Sequence, residues 1–197
     1  MRKAAKADIR VREIEGHPDP ALGRAHGLLK RTFPRAELVP LPEWRETLRE
    51  REAGLWTDLD WHVLVAERAG TVVGAATGLY VGNVSVGLVG YVAVAAAARR
   101  AGVGGMLRRG LRACFGRDAR RVHARPLEAV VGEVHVDNPW LPHLVREHRV
   151  MALDFPYFQP SLHAAEDPVR LVLHVERLRG ARRAVPAEEV RQLVDTV

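Results

Sequence analysis

Apolar and polar positions along the chain change period several times, and each change marks an element. Residues 8–14 place Ile9 and Val11 on one side of a short strand. His17-Pro18-Asp19-Pro20 stops it. Asp19 caps, and Pro20 opens, a helix with Leu22, His26, Leu29 and Phe33 along one side. Pro34, Pro40 and Pro42 mark a loop, and a second helix over 43–52 turns Trp44 and Leu48 inward. Residues 62–67 read as a strand, closed by the Arg68-Ala69-Gly70 turn.

Residues 69–98 carry no charge, a stretch long enough to cross a bilayer as a helix. Six glycines and Asn83 oppose a helix there, and the Val, Thr and Tyr between them favour strands. Two antiparallel strands, 71–80 and 84–94, are predicted, buried on both faces. Val81-Gly82-Asn83-Val84 is the turn between them, because Gly and Asn tolerate positive φ.

Helical spacing returns over 104–115, with Leu107, Leu111 and Cys114 on an inward stripe and Arg108, Arg109 and Arg112 off it. A solvated face accounts for two of those three arginines. Residues 129–136 form a strand that ends at Asp137-Asn138-Pro139, and 140–148 a short helix. A strand over 151–162 is bent or broken by Pro156 and Pro160. Residues 169–178 alternate cleanly, with Val169, Leu171, Leu173 and Val175 on one face and His174 and Glu176 on the other. After a linker at 180–183, a last helix from Pro186 carries Val190, Leu193, Val194 and Val197. Strand runs mixed with helices predict an α/β (α+β) domain over 1–180, a mixed sheet covered by helices, with an amphipathic helix at 181–197 appended. That helix must bury its apolar face on a sheet edge or in a homodimer.

Composition changes this picture little. At 197 residues, with 47% hydrophobic and 27% charged positions, the chain is ordinary globular material. A single cysteine, Cys114, excludes an intrachain disulfide and points to a reducing, cytoplasmic setting. Residues 1–20 contain no apolar core of a secretory signal. Net charge is +6, yet only three of the 30 basic residues are lysines, the bias of a GC-rich genome. The distribution says more: residues 99–125 hold nine arginines and one acid, Asp118, which would draw an anionic ligand. No recognition-helix motif and an aromatic content of 6% argue against a nucleic-acid partner.

The anion site is legible. A strand ends at Val94, a loop follows, and Gly102, Gly104 and Gly105 lead into a helix. Glycines let backbone N–H groups close on a ligand, and the helix start adds unpaired donors and the positive end of its dipole. Such a segment is either an anion cradle fit for a pyrophosphate or a glycine-rich turn that only packs a helix on a sheet. Position 107 is Leu rather than Gly, so the dinucleotide fingerprint fails, and Gly105-Met106-Leu107 is not the Gly-Lys-Ser/Thr of a P-loop.

Val94, then Arg99, Gly102 and Gly104 before a helix, resembles the acetyl-CoA loop of the GCN5-related N-acetyltransferases, the GNAT family. Residues 62–74 resemble that family's second and third strands, and Glu133 to Pro139 its fifth strand running into its fourth helix; the likeness spans about 8–178. It implies a mostly antiparallel sheet of about seven strands and direct acetyl transfer from acetyl-CoA to an amine. By the same resemblance, the backbone of Arg100, Ala101, Gly102, Val103, Gly104 and Gly105 would hold the pyrophosphate, with Arg99 steering it. Val92 and Val94 would pair with the pantetheine arm, in a cleft opened by a bulge between the fourth and fifth strands. The Val92 N–H would meet the oxyanion. Asn138 matches a family asparagine near the arm, or simply ends its strand as an Asx turn.

The catalytic pattern departs from the family. The Glu or His that some members carry on the fourth strand as base is absent, because 88–94 offers only Tyr91. The tyrosine many carry on the fourth helix is Val145 here. Glu133 and His135 share one face of the fifth strand, so Glu133 can relay a proton through water or serve as a buried strand carboxylate. Tyr157 can protonate the thiolate or line the acceptor pocket. His143 and His148 are further acid candidates. No His-Glu-x-x-His and no paired cysteines occur, so no metal site is expected. Trp44, Trp56 and Trp61 are core or acceptor wall. The acceptor, a small-molecule amine or a peptide, should enter past the second helix, residues 80–84 and residues 155–159. A non-catalytic acyl-CoA-binding domain is the alternative.

Overall fold

The computed structural model describes residues 9–55, 58–147, 150–159 and 167–178, together with 188 and 191. The chain runs β1 (Ile9–Glu13), α1 (Pro20–Lys30), α2 (Leu41–Glu52), β2 (Leu59–Arg68), β3 (Thr71–Val81) and β4 (Val86–Val94). It continues through α3 (Val103–His123), β5 (Ala129–His135), α4 (Trp140–Glu147), β6 (Val150–Ala152), β7 (Tyr157–Gln159) and β8 (Val169–Arg177). The strands form one eight-stranded sheet in the order β1-β2-β3-β4-β5-β8-β6, with β7 also on β8. All pairings are antiparallel except β4 with β5. β6 and β7 lie in line along one side of β8, interrupted at residues 153–156, where Pro156 removes a ladder donor. This is the broken strand read from the sequence. The final helix expected from Pro186 lies outside the described residues.

Local chemistry sets the element ends. Asp19 accepts the Ala21 N–H at 2.8 Å and Pro20 opens α1, as its cap demands. α2 begins earlier than the sequence reading, because Pro42 sits in its first turn, where a missing N–H costs nothing. α3 runs eight residues past Phe115. Gly116 is helical in space open enough for a side chain, and the inward stripe continues through Phe115, Asp118 and Ala119. The helix stops only at Ala124, with a φ of 51°: its N–H bonds the Arg120 carbonyl at 3.1 Å, and the Arg125 N–H bonds the Ala119 carbonyl at 3.4 Å.

α3 covers one face of the sheet, and α1 and α2 the other. Leu64, Ala66, Val89 and Val130 meet Leu107, Leu111 and Phe115 on the α3 face. Val63, Val65, Ala75 and Ala93 meet Leu22, Leu29, Trp44 and Leu48 on the opposite face. Burial of each large side chain contributes about 2 kcal/mol. The glycines of the uncharged hairpin answer to this packing: a Cβ on Gly87 would lie 2.0 Å from the Phe115 ring, and one on Gly78 2.5 Å from it. Among the described residues no helix is long and apolar enough to cross a membrane.

Candidate active site

Where β4 leaves the sheet, the backbone turns sharply before α3. Arg100 takes a φ of 62° and Gly102 one of 79°, two left-handed residues flanking Ala101. Only Gly102 does so free of steric cost. The first helical bond of α3 runs from the Met106 N–H to the Gly102 carbonyl, at 3.0 Å. The amides of Val103, Gly104 and Gly105 precede it and have no carbonyl one turn back. A cavity of about 830 Å³ opens there, lined by Val92, Val94, residues 98–106, Arg109, Asn138 and Trp140. A concave backbone with left-handed turns at a helix start is an anion receptor, and Arg99, Arg100 and Arg109 stand exposed around it. The Arg99 guanidinium also reaches back to the Val94 carbonyl, at 3.4 Å.

The cavity continues into a split in the sheet. β4 and β5 pair in parallel only from Val86 with Ala129 to Val89 with Gly132, and then diverge. The cause is a bulge: Gly90 and Tyr91 together face Thr77, whose hydroxyl accepts the Tyr91 N–H at 3.1 Å. Past the bulge, Ala95 donates to Val73 at 2.9 Å. Antiparallel bonding alternates, so the N–H and C=O groups of Val92 and Val94 point away from β3, toward the side β5 has vacated. A cleft of about 880 Å³ fills this split and meets the first cavity at Val92, Asn138 and Trp140.

Glu133 and Tyr157 converge on the cleft from β5 and β7. They lie on the α1/α2 face, and the Tyr157 hydroxyl donates to Glu133 Oε1. Burial pushes the Glu133 carboxyl above its ordinary range, partly opposed by that hydrogen bond. Burial, reinforced by the neighbouring carboxylate, also raises the Tyr157 phenol. His135, on the same face, is 52% exposed and 3.8 Å from Asp137.

Tyr91 is no proton carrier. Its hydroxyl donates to the Glu37 carbonyl at 2.6 Å and accepts the Val39 N–H at 3.2 Å, tying β4 to the α1–α2 connection. Asn138 forms the Asx turn, accepting the Trp140 N–H at 3.0 Å, and still borders both cavities. Val145 is 43% exposed. Cys114 is a buried structural thiol, pushed up to about 12 by burial and by Glu13. Trp44 is core, Trp61 borders the cleft, and Trp56 and His148 lie outside the described residues.

Two expectations are corrected. The turn at 80–84 does not border the cleft, because it sits at the end of the sheet where β4 and β5 are still paired. Nor does α2, whose Trp44 and Leu48 are spent on the core. The wall is instead the connection after α1, at Thr32, Phe33, Pro34 and Glu37.

The sequence reading missed the opposite face of the split. Of the three α3 arginines, Arg109 and Arg112 are exposed, while Arg108 is 8% exposed and pairs with Glu176 at 3.2 Å. Its guanidinium lies 5.8 Å over the Trp140 ring. Next to it, His174 is 3% exposed and also lines the cleft. Burial and the Arg108 charge hold its imidazole down at about 3, so it is neutral. Its Nδ1 has no hydrogen-bond partner among the described residues. The alternation of β8 put His174 and Glu176 on one face; nothing local said that a split lay beside them.

The sequence profile of the Acetyltransferase (GNAT) family matches residues 28–138. No curated protein sequence matches the chain. Solved structures superpose closely. A GNAT-family protein from Bacteroides thetaiotaomicron aligns with a TM-score of 0.66 at 16% identity, over 94% of this chain and 93% of its own. The ribosomal-protein-alanine N-acetyltransferase from Brucella melitensis aligns at 0.58 and 21% identity, over 86% and 99%. The ribosomal-protein-S18-alanine N-acetyltransferase from Escherichia coli aligns at 0.58 and 13%, over 91% and 99%. At these identities the structures speak for the fold, and the profile, spanning more than half the chain, for the lineage: the chain belongs to the GNAT acetyltransferase family.

Proposed function

We propose that the chain is an acetyl-CoA-dependent N-acetyltransferase that moves the acetyl group directly to the primary amine of a small molecule or peptide. The observation that carries this reading is the split itself. It joins an anion-binding backbone at 100–105 to a buried acid–base pair on the other face of the sheet. The backbone amides of residues 100–105 would hold the pyrophosphate, and Arg99 would supply nearby positive charge. Val92 and Val94 would hydrogen-bond the pantetheine arm as an added strand, and Asn138 and Trp140 would flank it. The thioester supplies an activated acyl carbon with a thiolate leaving group.

The chain's own groups then divide the work. The ammonium first gives one proton to solvent, because only the neutral amine can attack; Glu133, directly or through one water, takes the second proton as the C–N bond forms. The Val92 N–H meets the developing oxyanion. As the C–N bond forms and the C–S bond breaks, Tyr157 passes a proton to the departing sulfur and recovers one from Glu133 along their hydrogen bond. The pair thus returns to its starting state, and the amine's proton ends on the thiol. Tyr157 alone would be too weak an acid, since its phenol is raised; Glu133 is the source of the driving force. With a single cysteine and no disulfide to form, we place the reaction in the cytoplasm.

A thermal-shift titration with acetyl-CoA, followed by a thiol-release assay over an amine panel, tests the proposal. Stabilisation by acetyl-CoA and amine-dependent thiol release are expected. Gly104→Glu should abolish the stabilisation, because position 104 faces Trp140 and Val94 across the cavity and a carboxylate there repels the diphosphate. Equal stabilisation in that variant places the cofactor elsewhere. Stabilisation with no release from any amine selects a non-catalytic acyl-CoA-binding domain.

A further inference from the structure

The face of the cleft that receives the acceptor has a chemistry of its own. On the α1/α2 side of the sheet its floor is Leu79 and Leu88, both partly buried. Its walls are Phe33, Trp61 and Tyr157. Each ring is fixed by an edge contact from behind: Phe33 with Tyr91 at 5.2 Å, Trp61 with Trp44 at 5.3 Å, and Tyr157 with Phe155 at 6.3 Å. Phe33 and Trp61 are partly exposed and Tyr157 is buried; rings held this way are a preformed apolar surface rather than loose side chains.

The charges on this face have one sign. Among the described residues that line it, the carboxylates are Glu37 and Glu133, and there is no lysine or arginine. His135 stands at the rim, paired to Asp137. Arg108 reaches the cleft only from the α3 side, where Glu176 holds it. The hydroxyls within are already engaged: Tyr157 with Glu133 and Tyr91 with the Glu37 carbonyl and the Val39 amide.

We infer that the acceptor is an arylalkyl primary amine, a cation at one end and an aromatic ring at the other. This rests on the transferase reading above and narrows its substrate. The ammonium is drawn by Glu37 and Glu133 and by the faces of the aromatic walls. The ring packs against the walls that Phe33 and Trp61 supply, where edge and stacked contacts reward an aromatic body over an alkyl chain. An amino acid would bring its carboxylate against two others.

Thiol release by the full chain at saturating acetyl-CoA tests the inference, across 2-phenylethylamine, tryptamine, propylamine, alanine, an aminoglycoside and an alanine-initiated peptide. The two arylalkylamines are expected to show kcat/KM at least tenfold above every other acceptor. Glu37→Gln should raise KM for them more than it lowers kcat. Trp61→Leu should reduce the 2-phenylethylamine to propylamine ratio several-fold; a folding loss lowers both rates alike, so the ratio isolates recognition. Turnover that favours propylamine, alanine, the aminoglycoside or the peptide overturns the acceptor class and leaves the transferase standing. Acetyl-CoA binding with no turnover of any amine overturns the transferase reading, and this inference with it.

Discussion

At the scale of single residues, the proposed mechanism rests on the Glu133–Tyr157 pair. Two side chains from strands separated by α4 and β6 share one hydrogen bond in a buried cleft. Burial raises Glu133, so its base form fills at a pH above the ordinary carboxylate range. The rate should therefore rise with pH through that raised value. Glu133→Gln should lower kcat by about 100-fold or more and erase this inflection, as the loss of a general base does. Tyr157→Phe should keep the inflection, displaced because the hydrogen bond that lowers Glu133 is gone, and lower kcat less. A pH profile of kcat for the three proteins checks both, and an unchanged inflection in the glutamine variant would remove Glu133 from the mechanism.

The elements are tied together by a second set of charges, on the α3 face away from the cleft. His62 of β2 is 1% exposed, with Nδ1 2.6 Å from Glu13 of β1 and Nε2 2.7 Å from Asp118 of α3. Arg51, Arg117 and Arg121 surround the three, and Arg51 and Arg121 also bind Asp60. Burial disfavours the imidazolium, but the hydrogen bonds to Asp118 and Glu13 outweigh it and raise His62 above 6.5. Burial likewise opposes the Glu13 charge, yet the His62 bond brings the carboxyl to about 2.

The stability consequences have opposite signs. A raised imidazole stabilises the fold fully below its unfolded value of 6.5, and the contribution is lost as pH rises through the folded value. A lowered carboxyl stabilises above 4.5 and is lost as pH falls toward 2. His62→Gln should cost about 3 kcal/mol at pH 6, the usual effect of breaking a buried pair. Denaturation across pH 6 to 10 should show the gap to the native protein narrowing at the alkaline end. A gap independent of pH would mean that His62 is neutral in the fold.

Packing of α3 on the sheet makes its own prediction. Gly87→Val should cost at least 1–3 kcal/mol, because its Cβ would lie inside the Phe115 ring contact. Phe115→Ala in the same protein should recover part of that loss. Chemical denaturation of the single and double variants reads the coupling, and purely additive losses would mean that the ring does not set the glycine.

For the whole molecule, the bulge at Gly90 and Tyr91 is the organising event. It turns a continuous sheet into one with a slot, α3 and its arginines on one side and the aromatic walls on the other. The side of the slot proposed for the cofactor is rich in exposed arginine, so acetyl-CoA affinity should fall several-fold between about 50 mM and about 500 mM salt as these charges are screened. Titrations at two salt concentrations check this; salt-independent affinity would leave binding to the backbone amides alone.

Much of this was legible in the chain by itself. Periodicity and punctuation located nearly every described strand and helix, because strand alternation, proline starts and the Asp19 cap act over a few residues. The loop from Arg99 to Gly105 was legible for the same reason: its left-handed turns and helix start are local chemistry. Tertiary structure alone decided the rest. α3 outran its apparent end because Asp118 gained a buried partner on β2, far away in sequence. Arg108 and His174 became cleft residues because the split opened beside them, and the wall of the cleft fell to residues 32–37 rather than to α2. These outcomes depend on which strand stops pairing and where, a balance of long-range contacts that no short window of sequence contains.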